Sequence, residues 1–91
     1  MVASRAFCDD VENYFNQGIE KAKEGDWHGA ETNFDRAIEL KPDFAFAYNN
    51  RGITKRMQHD WAGAIDDYSK AIELETNFAL AYNNRGFARY V

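Results

Sequence analysis

At 91 residues the chain holds one domain at most, and folding at this size removes only about 60–70% of the unfolded surface from water. A hydrophobic fraction of 45%, a charged fraction of 29% and one proline exclude disordered, collagenous and mucin-like classes. Fifteen acidic residues against eleven basic ones give a formal charge of -4, which argues against a general nucleic-acid or anionic-membrane binder.

In chain order, the spacing of apolar residues predicts helices at 10–24, 27–40, 44–58, 61–74 and 78–91. The first carries Tyr14, Phe15, Ile19 and Ala22 at helical gaps, and Asp9 stands where an N-cap is wanted. Asp26 caps the second, whose Ala30, Phe34, Ala37 and Ile38 form an i, i+4, i+7, i+8 stripe, and Pro42 stops it. The third is read from Phe46, Tyr48, Ile53 and Met57, with Asp43 as its cap. Asp60 then caps a fourth helix whose stripe is Ala64, Tyr68, Ala71 and Ile72, and Thr76 in place of a proline predicts a softer end. Asn77 is the cap expected for the last. No segment carries the strict alternation of a strand.

These elements repeat. AFAYNNRG at 45–52 returns as ALAYNNRG at 79–86, thirty-four residues later, and the same offset relates Asp26-Trp27 to Asp60-Trp61 and Gly18 to Gly52 and Gly86. The chain therefore divides into a tail and cap at 1–10, one unit at 11–44, a second at 45–78 and the first helix of a third at 79–91. Loops this short force antiparallel neighbours, so the expected fold is all-α, a solenoid of stacked helix pairs with five helices.

With those residues in view, the chain resembles the tetratricopeptide repeat family over 11–91: the family's glycine falls at Gly18, Gly52 and Gly86, its Ala-x3-Phe element at Ala30/Phe34 and Ala64/Tyr68, its later small residue at Ala37 and Ala71, and its proline at Pro42. Tyr14, Tyr48 and Tyr82 stand for the family's tryptophan. Gln17, Arg51 and Arg85 depart from its leucine, and Lys21, Lys55 and Arg89 from its later tyrosine. The resemblance implies a right-handed superhelix that binds a peptide or partner helix in a concave groove. Carried over position by position, the groove holds Phe15, Ile19, Phe46, Asn49, Asn50, Ile53, Met57, Leu80, Asn83, Asn84 and Phe87, with Glu12, Asn16 and Lys23 in the first unit. One subgroup clamps an acidic C-terminal peptide with Lys and Arg, but here Phe15, Ile19, Leu80 and Asn84 occupy those places and only Asn50 matches. The groove reads as apolar with asparagine amides able to donate and accept. Phe15, Phe46, Ile53, Leu80 and Phe87 read more readily as inter-repeat core than as groove, the asparagine pairs equally as surface and helix-packing groups, and Trp27 and Trp61 as core fillers at the turns.

Other chemistry finds little support. His28 and His59 lack the i, i+4 spacing of a metal pair, Asp9-Asp10 and Asp66-Asp67 read as solvated charge, and no Gly-rich phosphate loop occurs, so neither catalysis nor a cofactor is expected. A single cysteine, Cys8, forms no internal disulfide and points to a reducing compartment, the cytoplasm by default. Residues 1–10 carry no signal-peptide apolar run, and no 18-residue apolar stretch predicts a membrane span. Two alternatives to a peptide-binding module remain: an RNA-binding stripe of Arg51, Lys55, Arg56, Arg85 and Arg89, and a purely structural self-assembly module. The third unit stops after one helix, which predicts a homodimer through Phe78, Tyr82, Phe87, Tyr90 and Val91.

Overall fold

A computed structural model describes the backbone of residues 2–90 and the side chains of residues 10–90, so Val91 and the Cys8 side chain lie outside the described residues. Five α-helices follow one another: α1 (Val2–Lys23), α2 (Trp27–Leu40), α3 (Ala45–Met57), α4 (Trp61–Leu74) and α5 (Ala79–Tyr90). Each packs on its neighbours in sequence, while α1 also touches α3 and α3 touches α5. The first helices of successive units thus form one layer and the second helices another, in a body whose thinnest extent is 16 Å.

Local chemistry sets the helix ends. Asp26 and Asp60 cap α2 and α4 as expected, each accepting from the backbone N–H of the residue three on, Gly29 and Gly63, at 3.0 Å. Lys41 and Glu75 close the same helices at equivalent places, each N–H returning to the carbonyl four residues back, so Thr76 leaves no softer end than Pro42. Three cap assignments are corrected. Asp9 lies inside α1, which begins at Val2 because nothing between there and Asp10 is a glycine or proline that would stop it. Asp43 is not the cap of α3: Phe44 takes that position and offers no side-chain acceptor. Asn77 likewise precedes Phe78, whose carbonyl accepts from Tyr82 N–H as Phe44 does from Tyr48 N–H.

Between α1 and α2 and between α3 and α4 the chain turns through a left-handed residue, Gly25 (φ 81°) and then His59 (φ 67°). In both turns the next N–H bonds five residues back, Asp26 to Lys21 and Asp60 to Lys55, at 2.9 and 2.8 Å.

Three small clusters make up the core. Ala37, Ile38 and Ala47 pack with Tyr14, Phe15, Phe44 and Tyr48; Ala71, Ile72 and Ala81 pack with Tyr48 and Phe78; Ala64, Tyr68 and Ala88 pack with Ile53, Trp61 and Ile65. Residues meet in opposite order, Tyr14 on Ala37 and Ile38 but Gly18 on Phe34, so the paired helices run antiparallel. Glycine at 18 and 52 is required by this approach: a Cβ at Gly18 would stand 2.5 Å from the Phe34 ring, and one at Gly52 would stand 2.6 Å from the Tyr68 ring. At Gly86 nothing lies within 4 Å.

Candidate functional site

The first helices carry the predicted groove residues, and the structure sorts them into three groups. Ile19, Asn50 and Ile53 come together around an apolar pocket of about 380 Å³, walled further by Trp27, Phe34 and Thr54. Thirty-four residues along, Met57 and Phe87 line a second pocket of about 340 Å³ with Arg56, His59 and Trp61. The two are images of one another under the repeat: Lys23 gives way to Met57, Ala22 to Arg56, Trp27 to Trp61 and Ile53 to Phe87. Trp27 and Trp61, expected as core fillers at the turns, also wall these pockets, because the Asp caps place them at the first positions of α2 and α4, and Trp61 packs on the core cluster of Ala64, Tyr68 and Ala88 as well.

A second group lies at the other end of the first helices. Phe46 is exposed and sets its ring edge against Phe78 at 5.0 Å, over a smaller pocket of about 220 Å³ shared with Glu75 and Asn77. Leu80, at the start of α5, is exposed as well.

The third group faces neighbouring helices or open solvent. Phe15 stacks into the core, 4.7 Å from the Phe44 ring and 5.8 Å from that of Phe34. Asn49 is 1% exposed, and its Oδ1 accepts from Asn84 Nδ2 at 3.0 Å, so this pair joins α3 to α5. Asn83, the same repeat position in α5, is exposed.

The basic residues do not form a free stripe. Arg51 donates through Nε and a terminal nitrogen to both oxygens of Asp67 at 2.9 and 2.8 Å, and through its other terminal nitrogen to Asp35 at 2.9 Å. Lys55 adds a third cationic contact to Asp67 at 3.1 Å. Asp67 is 4% exposed, so the reading of Asp66-Asp67 as solvated charge holds only for Asp66. Donating to the Asp67 carboxylate holds the Arg51 pKa still higher than its ordinary value. Arg85 donates to Ser69 Oγ at 3.2 Å and lies over the Tyr82 ring, and Arg56 lies over the Phe87 ring at 5.5 Å. Sequence reasoning missed Asp35 and Asp67; the one signal was their placement sixteen residues to either side of Arg51.

Among the described residues no cluster of His, Cys, Asp and Glu has metal-binding geometry, and no helix is long and apolar enough to cross a membrane. The arrangement offers shape and apolar surface with a few amides and cations at its rim.

No curated protein sequence matches the chain. Two family models do, one described as TPR repeat over residues 56–90 and one as tetratricopeptide repeat over residues 33–66. Among solved structures, the TPR2B domain of yeast Sti1 in its pHsp70 complex shares 30% identity at a TM-score of 0.87, over 89% of this chain and 65% of that one. The TPR2AB domain of yeast Sti1 in its pHSP90 complex shares 27% identity at a TM-score of 0.89, over 98% of this chain and 35% of that one. The Arabidopsis OM64 TPR domain shares 27% identity at a TM-score of 0.87, over 90% and 68% of the two chains. The chain thus spans about two thirds of the first of these and about a third of the second.

Proposed function

From the membership of this chain in the tetratricopeptide repeat family, we propose that it is a non-catalytic protein-interaction module of the cytoplasm whose first helices receive an extended, largely apolar peptide. The carrying observation is the pair of apolar pockets one repeat apart, the first at Ile19, Asn50 and Ile53 and the second at Met57 and Phe87. Packed helices lie about 8–10 Å apart, and a polyproline-II peptide advances about 9 Å in three residues while returning to the same face. Apolar side chains at i and i+3 therefore fit both pockets. The Sti1 domains similar to this chain are in complexes with pHsp70 and pHSP90, which supports peptide binding as the activity. The ligand differs in kind, because the places of an acidic-tail clamp are held by Phe15, Ile19, Leu80 and Asn84. Phe15 is in the core, and Asn84 is engaged with Asn49.

Titration of the chain with peptides carrying two large apolar residues three apart tests this, with Trp27 and Trp61 as reporters. Binding is expected to change little between low and moderate salt and to weaken about tenfold or more in Phe87→Ser, whose side chain is 52% exposed and so removable without unfolding. Tight RNA binding that falls steeply with salt, or apolar peptides that bind the variant equally well, refutes the reading.

A closed homodimer through α5 is the second reading, favoured by the exposure of Leu80, Tyr82, Phe87 and Tyr90 on that one helix. Sedimentation equilibrium at micromolar concentration tests it: a 10.5 kDa species throughout refutes it, whereas a dimer that Phe87→Glu dissociates supports it.

A further inference from the structure

The repeat allows each pocket to be compared with its image, and the second differs from the first in one direction. Where the first unit has Ala22, Lys23, Gly25 and Ile53, the second has Arg56, Met57, His59 and Phe87, and only the tryptophan is kept. Ile19, Ala22 and Ile53 give the first pocket aliphatic walls beside Trp27 and Phe34. The second is lined by three rings, a thioether and a guanidinium, with no branched aliphatic side chain. The first pocket stays open with α4 packed on α3 beside it, so a pocket at this place is a property of the unit.

The three rings form a row. Phe87 and Trp61 stand 6.4 Å apart at 59°, and Trp61 and His59 stand 6.4 Å apart at 57°, both within the range of attractive aromatic pairs. Arg56 lies over the Phe87 ring at 5.5 Å and so is already engaged. The row is completed at a cost in backbone conformation. Gly25 takes the left-handed turn position (φ 81°) freely, with open space where a Cβ would be. His59 takes the same position at φ 67°, a region that L side chains enter against a steric penalty. Strain of this kind collects at ligand sites, where the side chain it places is used. Here that side chain is an exposed ring on the pocket wall beside Trp61.

We propose that the second pocket selects an aromatic residue of the bound peptide, and that His59 is the specificity-determining residue that completes it. The inference rests on the peptide-binding reading and narrows it: of the two apolar residues three apart, the one at the second pocket is a phenylalanine-type ring. Such a ring offers a negative face and a positive edge, and tilted rings on the wall present the complementary parts of their own quadrupoles. Met57 adds a polarisable sulfur, which favours a ring over a saturated group. A cyclohexyl side chain has nearly the same outline and is the more hydrophobic of the two, so an aliphatic pocket prefers it and this one does not.

The test titrates the intact chain with three end-blocked peptides, Leu-Ala-Ala-Leu, Leu-Ala-Ala-Phe and Leu-Ala-Ala-cyclohexylalanine, each within the same flanking sequence, and reads affinity by calorimetry. The phenylalanine peptide should bind about threefold or more tighter than the cyclohexylalanine one. That ratio should fall to one or below in His59→Gly, in Phe87→Ile, and in His59→Asn, which tolerates the left-handed region without a ring. Ile19→Ala, in the first pocket, should weaken both peptides and keep the ratio. His59→Gly should lose the ratio with a urea midpoint no lower than the parent's, which separates selectivity from folding. Equal or tighter binding of the cyclohexylalanine peptide by the parent overturns the proposal and leaves the groove reading standing. So does a ratio that survives His59→Gly and His59→Asn. If none of the three peptides binds the parent, the groove reading fails and this proposal with it.

Discussion

Tyr68 fills the largest buried position between α3 and α4, with no side-chain exposure, and its hydroxyl is the one buried side-chain polar atom without a hydrogen-bond partner among the described residues. The repeat supplies the comparison: Phe34 holds the equivalent place against Gly18 at 1% exposure, with no hydroxyl at all. Tyr68→Phe keeps the ring in its Gly52 socket and removes only the oxygen. An unpaired buried hydroxyl costs about 1–3 kcal/mol, against which the void left by one oxygen, roughly 15 Å³, costs about 0.4 kcal/mol. The substitution should therefore stabilise by about 1–2 kcal/mol. For a domain of this size that raises Tm by roughly 5–10 °C and the urea midpoint by about 1 M.

The pH dependence carries a second signature. Burial, opposed in part by Arg56, raises the Tyr68 pKa above the ordinary 10.0, because ionisation would place a charge where water does not reach. Above that ordinary value the unfolded chain loses the proton and the folded chain keeps it. This residue's contribution to stability is thus complete below pH 10 and declines as pH rises through the folded value. Phenylalanine has no proton to lose, so the gap between Tyr68→Phe and the parent should widen above pH 10. Urea melts at pH 7 and 10.5 read both effects. A variant less stable than the parent at pH 7 would refute the argument, since it would mean that the hydroxyl is hydrogen-bonded in solution.

Two glycine substitutions should part in sign: Gly52→Ala meets the Tyr68 ring and the Ala64 carbonyl and costs about 1–3 kcal/mol, while Gly86→Ala meets nothing and gains about 0.5–1 kcal/mol of helix propensity, both read by thermal melts. Asp67→Asn leaves Arg51 and Lys55, each with a side chain only 19% exposed, without their shared carboxylate and should cost about 2–3 kcal/mol by urea denaturation. His59→Gly relieves a left-handed residue at a turn where the first unit already has Gly25, and should stabilise by about 0.5–1 kcal/mol in the same assay.

The sequence made the helices and their close contacts legible because both are periodic within a unit. Apolar spacing marked the helices, the 34-residue offset marked the pairs, and Gly18 with Phe34 or Gly52 with Tyr68 marked where they touch. Contacts between units were less legible. Asn49 and Asn83 are the same residue at the same repeat position, yet one is buried against Asn84 and the other is exposed, because burial there depends on whether a further first helix follows. Asp67 presented a similar difficulty: the carboxylate beside it, Asp66, is solvated, and the approach of Arg51 and Lys55 from another helix offsets the cost of burying Asp67. Trp61 packs on the cluster of Ala64, Tyr68 and Ala88 as a core filler would, but both tryptophans also wall a pocket, since a residue just after an N-cap can reach the turn and the groove together.

The pockets and the packing against α4 use different faces of α3, and this separation explains the placement of charge. Groove positions 50, 53 and 57 of α3 alternate around the helix with positions 48, 51, 52 and 55, which meet α4. The cations among the latter are consumed internally, three contacts on Asp67 and one on Asp35, which leaves the groove beside them largely apolar. Residues 45–91 carry six basic and five acidic side chains, against five and ten in residues 1–44. Arg51 and Lys55 are matched inside the fold and Lys70 pairs with Glu73, so the remaining cations of this half are Arg85 and Arg89 on α5 and Arg56 beside Phe87. An apolar ligand in the groove gains little from these arginines. Salt should therefore spare the peptide, and Phe87→Ser should weaken its binding where Arg85→Ala, at a residue that lines neither pocket, does not.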